Sequence, residues 1–123
     1  MAARTLRNHL DTTDTVRVIT RKADGAERVT PIWSVVADGQ PYLRSVDGSE
    51  GWWYRRAVAR GWVAFEIDGE RVEASVEEVE DAATLSAVDE AYRAKYGRFG
   101  SSLDAMLTDT SRPATIHLVA QQA

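Results

Sequence analysis

The sequence contains no cysteine, which excludes disulfides, thiolate metal sites and a cysteine nucleophile. No apolar run approaches the roughly 20 residues that a transmembrane helix needs. The N-terminal residues lack the apolar stretch and small-residue cleavage site of a secretory signal. Together these absences predict a cytoplasmic protein with no membrane partner.

The chain also lacks the excess of basic residues that nucleic-acid binding requires. Its formal net charge is -4, so neither a DNA duplex nor a single strand laid on its tryptophans is an expected partner. The charge is unevenly spread, because arginines dominate the first half and carboxylates dominate residues 66–81. A locally basic region can attract a small anion even on an acidic protein.

Sequence motifs of common catalytic sites are missing as well. There is no P-loop, no G-x-G-x-x-G and no G-x-S-x-G nucleophile elbow. His9 and His117 stand alone and far apart, without the repeated spacing of a metal site. We therefore expect no metal centre.

Three Asp-Gly pairs are the strongest structural signal that is present. Asp24-Gly25, Asp38-Gly39 and Asp68-Gly69 each separate segments rich in β-branched and aromatic residues. Asp-Gly tolerates the positive φ angles of tight hairpin turns, so each pair predicts two antiparallel strands. The expected strands are Val16–Arg21, Arg28–Val36, Pro41–Ser45, Trp62–Ile67, Glu70–Val76 and Thr115–Val119. Pro31 lies within the second strand and predicts a sheet edge or a bulge there.

Two main helices interrupt these hairpins. The first is expected from Glu50 to Arg60, with Ser49 as its N-cap and Gly61 as its stop. The second is expected from Ala82 to Tyr96, with Asp81 as cap, an inward stripe of Leu85, Val88, Tyr92 and Tyr96, and Lys95 on the solvated face. A short helical turn is expected at about Ser102–Leu107.

The pattern predicts an α+β fold, an antiparallel six-stranded β-barrel with two main helices. A chain of 123 residues fits one barrel domain at 15–123, preceded by an N-terminal arm or short helix at 1–14. So many hairpins would leave exposed edges unless the sheet closes on itself or on a second copy.

One segment combines the features of an anion site. A strand ends at Arg44 and Ser45, and a helix is predicted to begin three residues later at Ser49. Helix N-termini present unpaired N–H groups, and Arg44 with the two serine hydroxyls could converge there, with Arg55 or Arg56 reaching back. The alternative is that Ser49 caps its own helix while Arg44 pairs with an acidic residue.

Three consecutive aromatics, Trp52, Trp53 and Tyr54, follow on the same predicted helix. Neighbouring helical residues differ by about 100° around the axis, so the three cannot all point inward. At least one of them is expected in a ligand pocket or at a subunit interface. The alternatives are a platform for a planar ring and core packing combined with a dimer contact.

The chain resembles the split-β-barrel flavin-binding superfamily, which includes the pyridoxamine-phosphate oxidases. Within it the chain is most similar to the deazaflavin-dependent nitroreductase branch and to a related uncharacterised bacterial family. The resemblance covers roughly residues 15–119. It is carried by Thr20–Gly25, Arg28–Trp33, Tyr42–Ser45, Trp53-Tyr54 with Ala57, Ala59 and Val63, and Asp89–Gly97.

The resemblance implies a split barrel that forms a homodimer, with FMN or a deazaflavin in a groove at the interface. Site residues follow from it by position. Arg21 and Lys22 would lie near the cofactor's charged end, Arg44, Ser45 and Ser49 would form its anion site, Pro31–Trp33 would line its ring, and Trp53 and Tyr54 would lie beside it.

Two functions remain open on the sequence. The first is an oxidoreductase that uses a flavin or deazaflavin on a small molecule, with Tyr54 as the one candidate proton donor. The second is a cofactor-free dimeric barrel that binds a small planar or anionic ligand, or acts through its interface. The second is favoured by Glu50 and Gly51, which stand where the oxidases place a basic residue.

Overall fold

Six antiparallel strands close into a barrel in the order β1-β2-β3-β6-β5-β4 in the computed structural model, which describes residues 2–121. The strands are β1 (Thr15–Arg21), β2 (Glu27–Ala37), β3 (Gln40–Arg44), β4 (Trp62–Ile67), β5 (Glu70–Glu78) and β6 (Thr115–Ala120). The helices are α1 (Ala2–Thr12), α2 (Trp52–Arg60), α3 (Ala82–Tyr96) and α4 (Ser101–Asp104). The expected α+β barrel is confirmed. Within the described residues, no helix has the length and apolar character to cross a membrane.

Two of the three Asp-Gly turns have the geometry that the sequence predicts. Asp38 and Gly39 have φ values of 50° and 76°, and Asp68 and Gly69 have 51° and 82°, so both pairs make two-residue hairpin turns. The first hairpin differs, because the amide of Lys22 donates to the carbonyl of Ala26 at 2.9 Å. Its loop is therefore three residues long, and only the glycine adopts positive φ.

The barrel is open along part of β2. The first seven residues of this strand, 27–33, pair with β1 alone, because pairing with β3 begins at Ser34. Pro31 lies in this free edge, as the missing N–H requires. On its other side, β1 meets β4 only at Ile19 and Ala64. The barrel is thus closed in its strand order, while residues 27–33 of β2 pair on one side only.

Two apolar clusters hold the fold together. The first fills the barrel and includes Leu6 and Leu10 of α1, which joins residues 2–12 to the same core as the strands. The second lies between α3 and the outer face of the sheet and includes Val35, Val88 and Tyr92. Each fully buried aliphatic or aromatic side chain contributes about 1.5–3 kcal/mol, so both clusters matter for stability.

Helix α2 begins later than the sequence predicts. Its first residue is Trp52 and its N-cap is Gly51, which has no side chain to bond the free amides. Ser49 lies in a preceding 3-10 turn and does not cap the helix. The predicted stop is correct, since Gly61 has φ 62° in the left-handed region.

Helix α3 has the predicted bounds, and the Asp81 side chain accepts the amide hydrogen of Thr84 at 2.9 Å. The expectation that Lys95 is solvated is wrong. Its Nζ donates to the carbonyls of Leu10, Thr13 and Ser34 at 2.6, 2.8 and 2.7 Å. The ammonium thereby joins the end of α1 to β2 and α3, where positive charge also suits the helix C-terminus.

We predict that Lys95→Met lowers the free energy of unfolding by about 2–4 kcal/mol, because three partly buried carbonyls lose a charged donor. Urea denaturation followed by tryptophan fluorescence measures the change. Lys22→Met is the matched control and should alter stability by less than about 0.5 kcal/mol. Equal stabilities for the two variants would contradict this role of Lys95.

Candidate functional site

A cavity of about 220 Å³ opens between the free edge of β2, the start of α2 and the segment that contains α4. Its walls are mostly apolar and aromatic, which suits a planar organic ring. Five residues of the predicted site line it together: Pro31, Ile32, Trp33, Arg44 and Trp53. The full lining is Pro31–Trp33, Arg44, Val46, Trp53, Ser102 and Met106.

The position of Trp33 in this wall is fixed by Tyr96 of α3. The two rings stack with centroids 4.0 Å apart and planes 4° apart. The Tyr96 hydroxyl donates to the carbonyl of Asp14 at 2.6 Å and accepts the amide hydrogen of Ser34 at 3.0 Å. Because two hydrogen bonds fix the hydroxyl of this phenol, the indole that stacks on its ring is preorganised.

Arg44 does not offer a free guanidinium to a ligand, although sequence placed it in an anion site. Its side chain is wholly buried, and Nη1 donates to Oδ1 of Asp89 at 2.6 Å and to the carbonyl of Met106 at 2.9 Å. Nε donates to the Thr115 hydroxyl at 2.8 Å. The sequence left open a pairing of Arg44 with an acidic residue, and the structure has that pairing.

Asp89 is shared between two arginines. Its second oxygen accepts a hydrogen bond from Nε of Arg112 at 2.8 Å. The Arg44–Asp89–Arg112 triad therefore ties β3 and α3 to the loop before β6. The guanidinium of Arg44 also lies 5.5 Å from the ring centroid of Tyr92, within cation–π range.

The two serines of the predicted anion site, Ser45 and Ser49, differ in their exposure. Ser45 is buried, and its hydroxyl lies beside Gly51. A Cβ added to Gly51 would lie 2.4 Å from the Ser45 Oγ. Ser49 is exposed. Helix α2 starts three residues after Ser49, so Ser49 is not the N-cap of that helix.

Arg21 and Lys22, the basic pair at the end of β1, make their contacts outside the cavity. Arg21 lies 4.0 Å over the ring of Trp62 and forms an ion pair with Glu27 at 3.4 Å. The carbonyl of Lys22 accepts a hydrogen bond from Arg60 at 2.7 Å. Neither residue lines the cavity.

Tyr54 and Arg55 also lie away from the cavity. The Tyr54 hydroxyl donates to Glu78 at 3.2 Å, and burial with the nearby carboxylate raises the pKa of Tyr54 to about 12. The phenol therefore stays protonated at neutral pH. Arg55 is exposed, with its guanidinium 5.1 Å from the ring centroid of Trp52.

Two further arginines, Arg28 of β2 and Arg56 of α2, are close enough to each other to interact electrostatically. Arg56 of α2 donates from Nε to the buried hydroxyl of Thr20 at 2.9 Å, and Thr20 pairs directly with Arg28 across the β1–β2 ladder. Burial and the positive charge of Arg28 lower the pKa of Arg56. No carboxylate is bonded to either guanidinium within residues 2–121. Arg28 could have been identified from the sequence through the hairpin register, because the register pairs it with Thr20.

The histidines lie outside this site. His117 has Nδ1 3.0 Å from Glu77 and Nε2 2.8 Å from the Gln40 side chain, while His9 lies near the end of α1. Across the described part of the chain, no three histidine or carboxylate side chains are grouped as metal ligands.

Comparison with known families assigns the chain. The model of a family described as an uncharacterised protein conserved in bacteria, DUF2255, matches residues 7–118. This chain belongs to the DUF2255 family. Comparison of the DUF2255 protein with curated sequences gave no match.

Several solved structures are similar in fold to this DUF2255 protein. A putative pyridoxamine 5'-phosphate oxidase from Listeria innocua has a TM-score of 0.66 at 11% identity, covering 99% of this chain and 95% of its own. An F420-H2 dependent reductase, FDR-A, has 0.62 at 14%, covering 86% and 94%. HutZ, the haem storage protein of Vibrio cholerae, has 0.63 at 16%, covering 96% and 89%. These similarities establish that the DUF2255 protein shares the fold of these three proteins.

Proposed function

We propose that this protein binds FMN or a deazaflavin in the groove between the free edge of β2 and helix α2, and acts as an oxidoreductase on a small molecule. The proposal rests on two features, an aromatic cavity and a pair of arginines, that occur on the same pair of elements. The aromatic cavity at Trp33 and Trp53 and the arginine pair Arg28 and Arg56 are carried by the same two elements, β2 and α2.

The aromatic end of the groove fits a ring. Its volume of about 220 Å³ is below the usual range for a complete drug-sized ligand, so it accommodates a ring system while the rest of the cofactor extends outward. Preorganised Trp33 supplies an aromatic face. Along the free edge of β2, backbone groups that β3 does not use can bond the polar rim of the ring.

The basic end fits a phosphate. Trp53 and Arg56 are three residues apart on α2, and Ile32 and Arg28 are four apart on β2, so each pair shares a face of its element. Arg28 lies about 13 Å from Ile32 along the strand. A ring bearing an extended phosphorylated chain covers this span, and two guanidiniums bind phosphate well.

Hydride chemistry would come from the cofactor, and the protein would supply binding, orientation and electrostatics. The absence of an acid–base pair from the cavity lining is compatible with this division. Tyr54 is a poor candidate for proton donation to a substrate there, because its hydroxyl bonds Glu78 instead.

The second candidate is a cofactor-free barrel that binds a planar or anionic molecule. It is favoured by the burial of Arg44 in an ion pair with Asp89 and by the exposed position of Ser49. Haem is a poorer fit than a flavin, because the described lining of the cavity contains no histidine that could bind iron.

Val46 provides the test, because it lines the cavity and is 48% exposed. We predict that FMN or a deazaflavin titrated into the pure protein binds, and that Val46→Glu weakens binding at least tenfold by placing a carboxylate at the mouth. The matched control is Val119→Glu, since Val119 is 42% exposed and lies outside the cavity lining.

Fluorescence of the flavin measures both affinities. A folded protein that binds neither cofactor at about 100 μM, or equal losses in the two variants, would refute the proposal.

A homodimer is the second part of the proposal. Trp52 is 70% exposed, and Val46 lies exposed close to it in the chain, so an apolar patch borders the groove. Large exposed aromatics are typical of interface centres. A second copy seated on this patch would cover the open side of the groove.

We therefore predict a dimer in sedimentation equilibrium, and a monomer for Trp52→Glu, because a buried unpaired carboxylate disfavours association. Val119→Glu should remain dimeric. A wild-type chain that sediments as a monomer at 100 μM would exclude this assembly.

A further inference from the structure

We propose that the Arg44–Asp89–Arg112 triad gives the aromatic cavity a preference for planar aromatic anions, with Arg112 as the residue that sets the charge. This inference rests on the ring cavity of the proposed function. It does not require that a flavin is the occupant.

The first step is the charge of the triad. One carboxylate, Asp89, bonds two guanidiniums, at 2.6 Å and 2.8 Å. Two positive charges and one negative charge leave one positive charge uncompensated. The side chains of Arg44 and Asp89 are almost entirely shielded from water, with exposures of 0% and 11%. Solvent therefore screens this part of the triad weakly.

The second step is the position of the triad relative to the cavity. Nη1 of Arg44 donates to the backbone carbonyl of Met106, and both residues contribute to the cavity wall. The buried guanidinium thus lies directly behind the wall. Asp47 and Glu50, which follow Val46, are exposed, so water screens their opposing charge.

The third step identifies which member can be varied without reshaping the cavity. Arg112 is 33% exposed and lies outside the lining, and its Nε contacts only the far oxygen of Asp89. Without its charge, Asp89 would neutralise Arg44 and the triad would carry no net charge. Arg112 is therefore a specificity-determining residue that acts through Asp89.

The test compares two ligands with the same ring. Calorimetric titration with 2-naphthoate and with 2-naphthamide gives the ratio of their affinities, and this ratio cancels general damage to the cavity. We expect the wild type to prefer the anion at least tenfold, and Arg112→Gln to prefer it by less than about twofold.

Two control variants separate the triad from the overall charge of the protein. Arg112→Lys keeps the positive charge and should retain the preference. Arg93→Gln removes an exposed arginine from α3, the helix that carries Asp89. Arg93 pairs with Glu90 at the surface, so this variant should also retain the preference for the anion. A ratio near one in the wild type, or an unchanged ratio in Arg112→Gln, would overturn the inference.

The outcomes of this titration separate the inference from the proposed cofactor binding. Preference for naphthoate without binding of FMN or a deazaflavin would refute the proposed function and leave this inference standing. Flavin binding with equal affinity for the two naphthalene probes would do the reverse. Failure of both probes to bind would overturn the inference, because the cavity would not accept a planar ring.

Discussion

The buried ion pair between Arg44 and Asp89 is the interaction on which the functional end of this barrel depends. Arg44 ends β3, and Asp89 lies in the middle of α3, so the pair fixes the helix against the sheet at the cavity. Charges taken out of water are stabilising only when they are fully bonded. Thr115 and Arg112 complete the bonding, and this completeness makes the arrangement specific.

Other inward residues of α3 also fix the helix against neighbouring elements. Tyr92 lies beneath Arg44, Lys95 bonds the end of α1, and Tyr96 supports Trp33. Together with Asp89 they recur at spacings of three and four along one side of the helix. The segment Asp89–Gly97, which carries the C-terminal part of the family resemblance, thus provides contacts that hold α3 against the barrel and α1.

The strands and main helices could be predicted because their signals are local. Asp38-Gly39 and Asp68-Gly69 define hairpins through backbone preference, and Asp81 caps α3 through a bond three residues away. The partners of Arg44 and Lys95 could not be predicted, because they are tens of residues distant and depend on how α3 and α1 pack. Arg28 was not identified for the same reason, since its proximity to Arg56 depends on how α2 packs against β2, and Arg56 was considered only as a residue that reaches back toward Arg44.

A double-mutant cycle on Arg44 and Asp89 tests the central claim most directly. The free energies of unfolding of Arg44→Met, Asp89→Leu and the double variant are compared with that of the wild type. Asp89→Leu should cost about 3–5 kcal/mol by leaving the buried Arg44 unpaired, Arg44→Met should cost less because Arg112 still pairs with Asp89, and the double change should cost clearly less than the sum of the two. Single costs below about 1 kcal/mol that simply add would contradict the account, because the pair would then not hold α3 against the barrel.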